Sequence, residues 1–489
     1  MAATHYDAIV IGAGAGGAPC AALLANRGLK TLLVEKNDRP GGKAMTISNR
    51  GFTYELWPVA GGPRLNSQFE AVLKELGLES ERTDPDKIFT FYYRSPSGEY
   101  TSHSPPQPQG SGEQDQTSAL QLMSWLELLS EDLTDLARFG ADVVAFSSQE
   151  IEDLDEITYH EFLSRYQIPQ PMYSFLAAQM NVVFVVPIDQ LAASEGIKTL
   201  REMTTGGAGF YYKGGYGRLF EKYVEGFQRD GGVAIFGTRV DRVIIQDGQA
   251  KGVVTDQGIF HAPIVVSNVG IQPTVLKLAG GEHFDKSYVN YVKDLVPSLG
   301  LMGTRYFLNN PILKTGAHIA FSDDSYWNVE RSLKAKRGNV PDELLIFATV
   351  PSRFDSDLAP AGKQCVLAST LCPPDPEMKD TQAWWDKMDE MMDKVWPGFS
   401  QHIESKEQYS TQHVSALTRD YVLPGIGGEC IGLGQVVGQC GRHKPSAKAP
   451  VRGLFYVGCD AGGYGCGTHQ AVDSAVNVAR LVHQYYQMH

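Results

Sequence analysis

The apolar run Ala8-Ile-Val-Ile11, followed at once by Gly12-Ala-Gly14-Ala15-Gly16-Gly17, constrains this 489-residue chain more than any other feature. A buried strand that turns through closely spaced glycines into a helix is the entry to a parallel βαβ unit. Gly12 permits the tight turn, Gly14 lets phosphates approach the backbone, and Gly17 lets the helix pack on the strand. The alanine- and leucine-rich stretch Ala15–Arg27 predicts that helix, with Gly28 as its C-terminal stop. A second strand, Thr31-Leu-Leu-Val34, ends at Glu35, where a carboxylate is needed to hold the ribose hydroxyls of an adenosine. The N–H groups at the helix start favour a pyrophosphate. Strand, turn, helix, strand and acid in this order predict dinucleotide binding, which the glycines alone do not.

Beyond Glu35 the chain reads Lys36-Asn-Asp-Arg39-Pro-Gly41-Gly42-Lys43. Gly41 and Gly42 permit a second close backbone approach, and Arg39 or Lys43 can offset phosphate charge. An NAD site needs no such second turn. The run resembles the extended FAD-binding signature of the glutathione-reductase-like flavoproteins, in the branch that holds amine oxidases and phytoene desaturases.

Length predicts two or three domains. Hydrophobic residues make up 43% of the chain and charged residues 20%, enough for a large core. The net charge of −13 argues against a nucleic-acid partner, which requires a basic surface. It also disfavours anionic lipid while leaving apolar, peripheral docking at a membrane open. The first strand begins within ten residues of Met1, which predicts no signal peptide, and no apolar run is long enough to span a bilayer. The seven cysteines (Cys20, Cys365, Cys372, Cys430, Cys440, Cys459 and Cys466) contain no CxxC pair. They read as reduced thiols of a cytoplasmic protein, with no metal site.

Further along, Lys213-Gly214-Gly215-Tyr216-Gly217 precedes an amphipathic helix with Leu219, Phe220, Tyr223, Val224 and Phe227 on one face. Strands are predicted at Val233–Ile235, Val240–Ile245 and Lys251–Thr255, with turns at Asp247-Gly248 and Asp256–Gly258, and a buried strand at Ile264–Asn268. Near the end, Gly453-Leu-Phe-Tyr-Val457 runs into Gly458-Cys-Asp460, and a terminal helix follows from about Thr468. A nucleotide domain assembled from 1–75, 206–274 and 421–489 follows, with 76–205 and 275–420 forming a substrate-binding and helical region. In that region Ala119–Phe139 reads as one amphipathic helix, and Leu299–Leu308, Leu344–Val350 and Cys365–Leu371 as strands of an antiparallel sheet. Pro105–Thr117 reads as a polar loop.

Lys213-Gly-Gly215 with its helix and the Val240 strand, Asp357-Leu-Ala-Pro-Ala-Gly-Lys363, and Gly453–Gly458 together resemble the phytoene desaturase and retinol saturase group over nearly the whole chain. The resemblance implies an α/β fold with a glutathione-reductase-like FAD domain and an inserted mixed-sheet and helical domain. It implies non-covalent FAD held by Gly12, Gly14, Ala15, Gly17, Glu35, Lys36, Gly41, Gly42, Lys43, Val240, Gly458 and Asp460, with Gly467 and Thr468 opening a helix that points at the flavin. The activity implied is oxidation or reduction at C–C bonds of an apolar small molecule, with hydride passing to or from flavin N5. Oxygen, a quinone or a redox protein is the electron acceptor, since Gly425-Ile-Gly427-Gly428 follows no long buried strand and supplies no second dinucleotide site. Candidate active-site residues are His469, Tyr464 and Trp57. His469 and Tyr464 also read as hydrogen-bonded structural residues, Cys466 as a packed thiol, and Arg353 and Lys363 as surface charge. Two departures, Leu56-Trp57-Pro58 in place of a glycine–proline pair and the turn Gly462–His469 without its usual prolines, point to a compact or cyclic substrate. A flavin amine oxidase, a redox-neutral flavin isomerase and a non-catalytic binder of the GDP-dissociation-inhibitor type remain alternatives.

Overall fold

The structure, a computed structural model, describes residues 4–59, 67–83, 88–105, 116–129, 132–205 and 209–489. Five short apolar strands build a parallel sheet in the order Val233–Ile235, Thr31–Val34, Ala8–Ile11, Ile264–Ser267 and Leu454–Tyr456. The last four of these are buried along their whole length, as a parallel sheet covered on both faces requires. The helix Gly17–Asn26 covers one face together with Arg218–Arg229 and the terminal helix Gly467–Met488. Gly28 stops the first helix at φ +88°, with Gly28 N–H bonded to Ala25 O and Leu29 N–H to Leu24 O.

A four-stranded sheet lies beside this layer, ordered Thr4–His5, Gly258–His261, Gln249–Thr255, Val240–Gln246. Its Asp247-Gly248 turn has both φ angles positive, 52° and 68°, the geometry that matches hairpin twist. Val233–Ile235 belongs to the parallel sheet instead, and Gly258–His261 is a strand the sequence patterns did not mark.

The seven-stranded sheet runs Ile403–Tyr409, Gly300–Leu308, Gln364–Cys372, Ile346–Thr349, Ala317–Ser322, Phe89–Arg94, Tyr100–His103. It contains the three strands predicted here, and is mixed rather than antiparallel because Ala317–Ser322 pairs in parallel with Phe89–Arg94. The predicted single helix Ala119–Phe139 is two helices, Gln116–Trp125 and Leu133–Ala145. Glu127 adopts φ +56°, Glu127 N–H bonds to Ser124 O and Leu128 N–H to Met123 O, a Schellman stop without glycine. Of the predicted polar loop, 106–115 lies outside the described residues. Among the described residues no helix is long and apolar enough to cross a membrane.

Candidate functional site

The glycine turn is shaped by contacts that leave no room for side chains. A Cβ on Gly17 would lie 1.9 Å from Gly12 O, and one on Gly16 would lie 2.7 Å from Gly458 Cα. The second turn folds against the first: Gly41 N–H bonds to Ala13 O at 2.9 Å, with Gly41 and Gly42 at φ +115° and +56°. Asn268, just past the central strand Ile264–Ser267, sits where these turns meet; a Cβ on Gly14 would come 2.9 Å from its Nδ2. Sequence reasoning placed Asn268 at a strand end and gave it no role.

These turns open onto a cavity of about 1330 Å³, larger than the ~300–1,000 Å³ of a single-ligand pocket. Of the residues expected to hold the cofactor, Gly12, Gly14, Ala15, Glu35, Lys36, Gly41, Gly42, Lys43, Val240, Gly458, Asp460, Gly467 and Thr468 all line it. Gly17 does not; it lies beneath the turn, against Gly12 O. Glu35 is buried, with Oε2 accepting from Ala13 N–H at 2.6 Å and Oε1 from Asn37 N–H at 2.9 Å. Burial pushes its carboxyl above the ordinary value, against those hydrogen bonds and the nearby Lys36 charge. Lys36 lies at the edge, donating to Ala416 O at 3.2 Å.

Asp460 faces a partner that the sequence did not suggest. Arg419 donates to both of its oxygens, at 3.3 and 3.1 Å, and Ile271 and Leu433 N–H add bonds of 2.8 and 3.0 Å. Arg419 Nε also meets Glu429, whose backbone O accepts from Lys43 Nζ at 2.6 Å. Burial acts to raise the Asp460 carboxyl, yet Arg419 and the two amides hold it below its usual range. Burial lowers the Lys43 amine, with Glu429 opposing. Arg419 and Glu429 lie in segments with no motif, and no local signal pairs them.

Trp57, Tyr464 and His469 also line the cavity. Trp57 is buried among Met45, Leu56, Tyr409 and Val414, and its Nε1 has no hydrogen-bond partner. His469 stands in the first turn of the terminal helix, its ring edge-on to Phe69 at 4.7 Å. Tyr464 is on the rim, 57% exposed. Cys466 donates to Val183 O, Arg353 to Leu313 O, and Lys363 pairs with Glu404; Arg353 and Lys363 lie outside the cavity. Elsewhere Asp155, Glu195 and Cys440 converge, but Asp155 accepts from Ser194 and Arg442 and Glu195 pairs with Lys198.

The far end of the cavity is apolar. Phe91, Ile319, Phe347 and Leu371 rise from one face of the seven-stranded sheet, and Leu136, Phe139, Met172 and Phe175 close it from the helices. FAD fits what is present: side-chain-free turns at its phosphate end, a buried carboxylate for the ribose, and room left for a second molecule.

Comparison with known proteins agrees. Prolycopene isomerase of Arabidopsis thaliana is 26% identical over 455 residues, covering 85% of this chain and 73% of the relative. The zeta-carotene-forming phytoene desaturase of Myxococcus xanthus is 23% identical over 484 residues, covering 92% and 89%. The crystal structure of an oxidoreductase from Methanosarcina mazei superposes with a TM-score of 0.72 at 18% identity, covering 97% and 99%, and shares the fold. Residues 18–288 match the family described as flavin containing amine oxidoreductase. The chain belongs to that family and is an FAD-dependent oxidoreductase.

Proposed function

We propose that this enzyme oxidises or reduces a carbon–carbon bond of a largely apolar small molecule. The observation that carries the reading is the apolar chamber continuous with the nucleotide turns: Phe91, Phe139, Phe175, Ile319 and Phe347 form its walls, with Gln179 as a polar side chain beside them. Such walls select by shape and burial and leave the chemistry to the cofactor. Bound FAD supplies a centre that accepts or returns a hydride.

The chain's own residues bind, orient and shield. The turns Gly12–Gly16 and Gly41–Gly42 would hold the pyrophosphate and Glu35 the ribose, and the helix start at Gly467–Thr468, which lines the same cavity, would present its N–H groups to negative charge on the flavin. The apolar walls exclude water and align the bond to be changed. His469, on that same turn, holds or accepts a proton at its imidazole, and Trp57 limits the length of substrate that enters. Redox-neutral isomerisation of a double bond is the second reading, favoured by the likeness to prolycopene isomerase.

Anaerobic mixing of the holoenzyme with separate panels of alkenes, saturated ketones and amines, while the flavin absorbance is followed, tests the reading. Bleaching by a compound that becomes desaturated, or reoxidation of reduced enzyme by an alkene, supports it. Bleaching by amines alone overturns it in favour of an amine oxidase. Conversion of one alkene isomer to another with no net flavin change supports the second reading.

A further inference from the structure

Tyr216 lies in the Lys213–Gly217 loop, outside the cavity lining, and is 1% exposed. Its hydroxyl is 2.9 Å from Thr468 Oγ1, on the second residue of the terminal helix. Its backbone N–H donates at 2.8 Å to Oε1 of Glu55, a fully buried carboxyl that also accepts from Tyr211 O–H and, at 3.3 Å, from Thr46 Oγ1. Thr46 Oγ1 in turn accepts from Gly217 N–H at 2.8 Å, so both sides of Tyr216 are tied to the Thr46–Glu55 hairpin. Phe69 packs edge-on against Tyr216 at 6.3 Å and against His469 at 4.7 Å. Two successive residues of the helix's first turn, Thr468 and His469, are therefore braced from one buried aromatic pair.

That bracing adds a side-chain contact to a turn poor in side chains. Gly462, Gly463, Gly465 and Gly467 carry no side chains to lock it, and the N-cap residue Cys466 makes no side-chain capping bond. Gln435 Nε2 donates to Gly465 O at 2.8 Å, Cys459 Sγ to Gly467 O at 3.1 Å, Asn477 Nδ2 to Gly462 O at 3.1 Å, Tyr464 N–H to Asp473 at 2.9 Å and Cys466 Sγ to Val183 O, and none of these bonds reaches the Thr468 side chain.

We propose that Tyr216 is a positioning residue for the redox centre: anchored on Glu55, it fixes Thr468 and with it the orientation of the helix start that faces the flavin ring. The proposal rests on the placement of that ring beside Gly467–Thr468 given above. Loss of the hydroxyl lets the Thr468 side chain rotate and the first turn shift, which changes the field at the ring without touching the phosphate turns.

The test compares Tyr216→Phe, Thr468→Val and the double variant with Tyr212→Phe, a neighbouring buried tyrosine whose hydroxyl reaches Glu70 at 3.1 Å and not the terminal helix. Flavin content, visible spectrum, midpoint potential and the rate of reoxidation of photoreduced holoenzyme by dioxygen are read; none needs the natural substrate. Tyr216→Phe and Thr468→Val should each keep full FAD, shift the spectrum and potential in the same sense, and change the reoxidation rate by about 2- to 10-fold. The double variant should do no more than either single change, since both remove one interaction. Tyr212→Phe should leave spectrum and potential in place. A parental spectrum and potential in FAD-replete Tyr216→Phe, or additive effects in the double variant, overturns the proposal. If Tyr216→Phe does not fold, a parental potential in Thr468→Val overturns it equally. Failure of the carbon–carbon reading shows separately, in the substrate panel.

Discussion

Replacing Arg419 by methionine removes the cation shared by two buried carboxylates. Arg419, Asp460 and Glu429 are 6%, 4% and 0% exposed. Breaking a buried ion pair from one side costs about 3–5 kcal/mol, because the remaining charges lose their partner in a low-dielectric setting. The amides of Ile271, Leu433 and Gly427 still serve the carboxylates, which places the loss within that range rather than beyond it. The folded-to-unfolded ratio should then fall roughly 150- to 5,000-fold. Its pH dependence carries a definite sign. The Asp460 carboxyl is held below its ordinary 3.8, so its contribution is complete above that value and is lost as pH falls through the folded-state value. In Arg419→Met the largest lowering influence is gone, burial raises the carboxyl against the two amides alone, and protonation relieves the variant as acid is added. The deficit in urea resistance, followed by circular dichroism and flavin fluorescence, should be large at about pH 7.5 and smaller at about pH 5. Arg419→Lys, which keeps the charge and loses the fork, should fall between. An Arg419→Met protein as resistant as the parent at about pH 7.5, or a deficit that does not narrow in acid, would refute the reasoning.

Three further outcomes follow from the same geometry. Glu35→Ala should weaken FAD binding by about 1.5–3 kcal/mol, roughly 10- to 150-fold in Kd, and excess FAD should restore turnover; inactivity at saturating FAD gives Glu35 another role. Trp57→Gly should raise turnover of long relative to short substrates, at a stability cost of about 3–5 kcal/mol, and an unchanged ratio in folded, FAD-loaded protein removes Trp57 from the substrate wall. Acid precipitation should release the yellow cofactor into the supernatant, because the Cys466 thiol is pushed well above its ordinary pKa by burial and its sulfur is taken up by Val183 O; colour left in the pellet contradicts non-covalent binding.

How far the sequence carries depends on the range of the forces that shape each element. Ala8–Ile11, Thr31–Val34 and Ile264–Ser267 are legible because a strand buried on both faces reads as a near-continuous apolar run, broken here only by Thr31 and Ser267. Asp247-Gly248 is legible because only a few residue types tolerate two positive φ angles. The break in Ala119–Phe139 is not, since Leu122, Leu126, Leu129, Leu133 and Leu136 keep a helical spacing straight through it. The helix ends at Glu127, whose left-handed conformation closes the Glu127 N–H to Ser124 O and Leu128 N–H to Met123 O bonds without a glycine to announce it in the sequence. Ala317–Ser322 and Phe89–Arg94 escape notice for a related reason: their parallel pairing joins segments more than two hundred residues apart.

The candidate site divides along the same line, and the division bears on how charge is handled. Glu35 and the glycines are legible because each answers to a local requirement of the turn. Arg419, Glu429, Asn268 and Tyr216 acquire their places from contacts across long stretches of chain. Once they are in place, two cations, Lys43 and Arg419, stand against two anions, Asp460 and Glu429, in the buried wall of the cavity. Lys43 is engaged by the Glu429 carbonyl and Arg419 by both carboxylates, so this group is electrically balanced. A dinucleotide pyrophosphate laid against it gains no uncommitted cation there. On the proposed placement of the cofactor, its charge would instead be met by the N–H groups of the turns at Gly12–Gly16 and Gly41–Gly42 and by the start of the Gly17–Asn26 helix. On that placement, backbone approach, enforced by glycines whose Cβ atoms would collide with Gly12 O, Gly458 Cα and Asn268, would govern this end of the site more than side-chain charge.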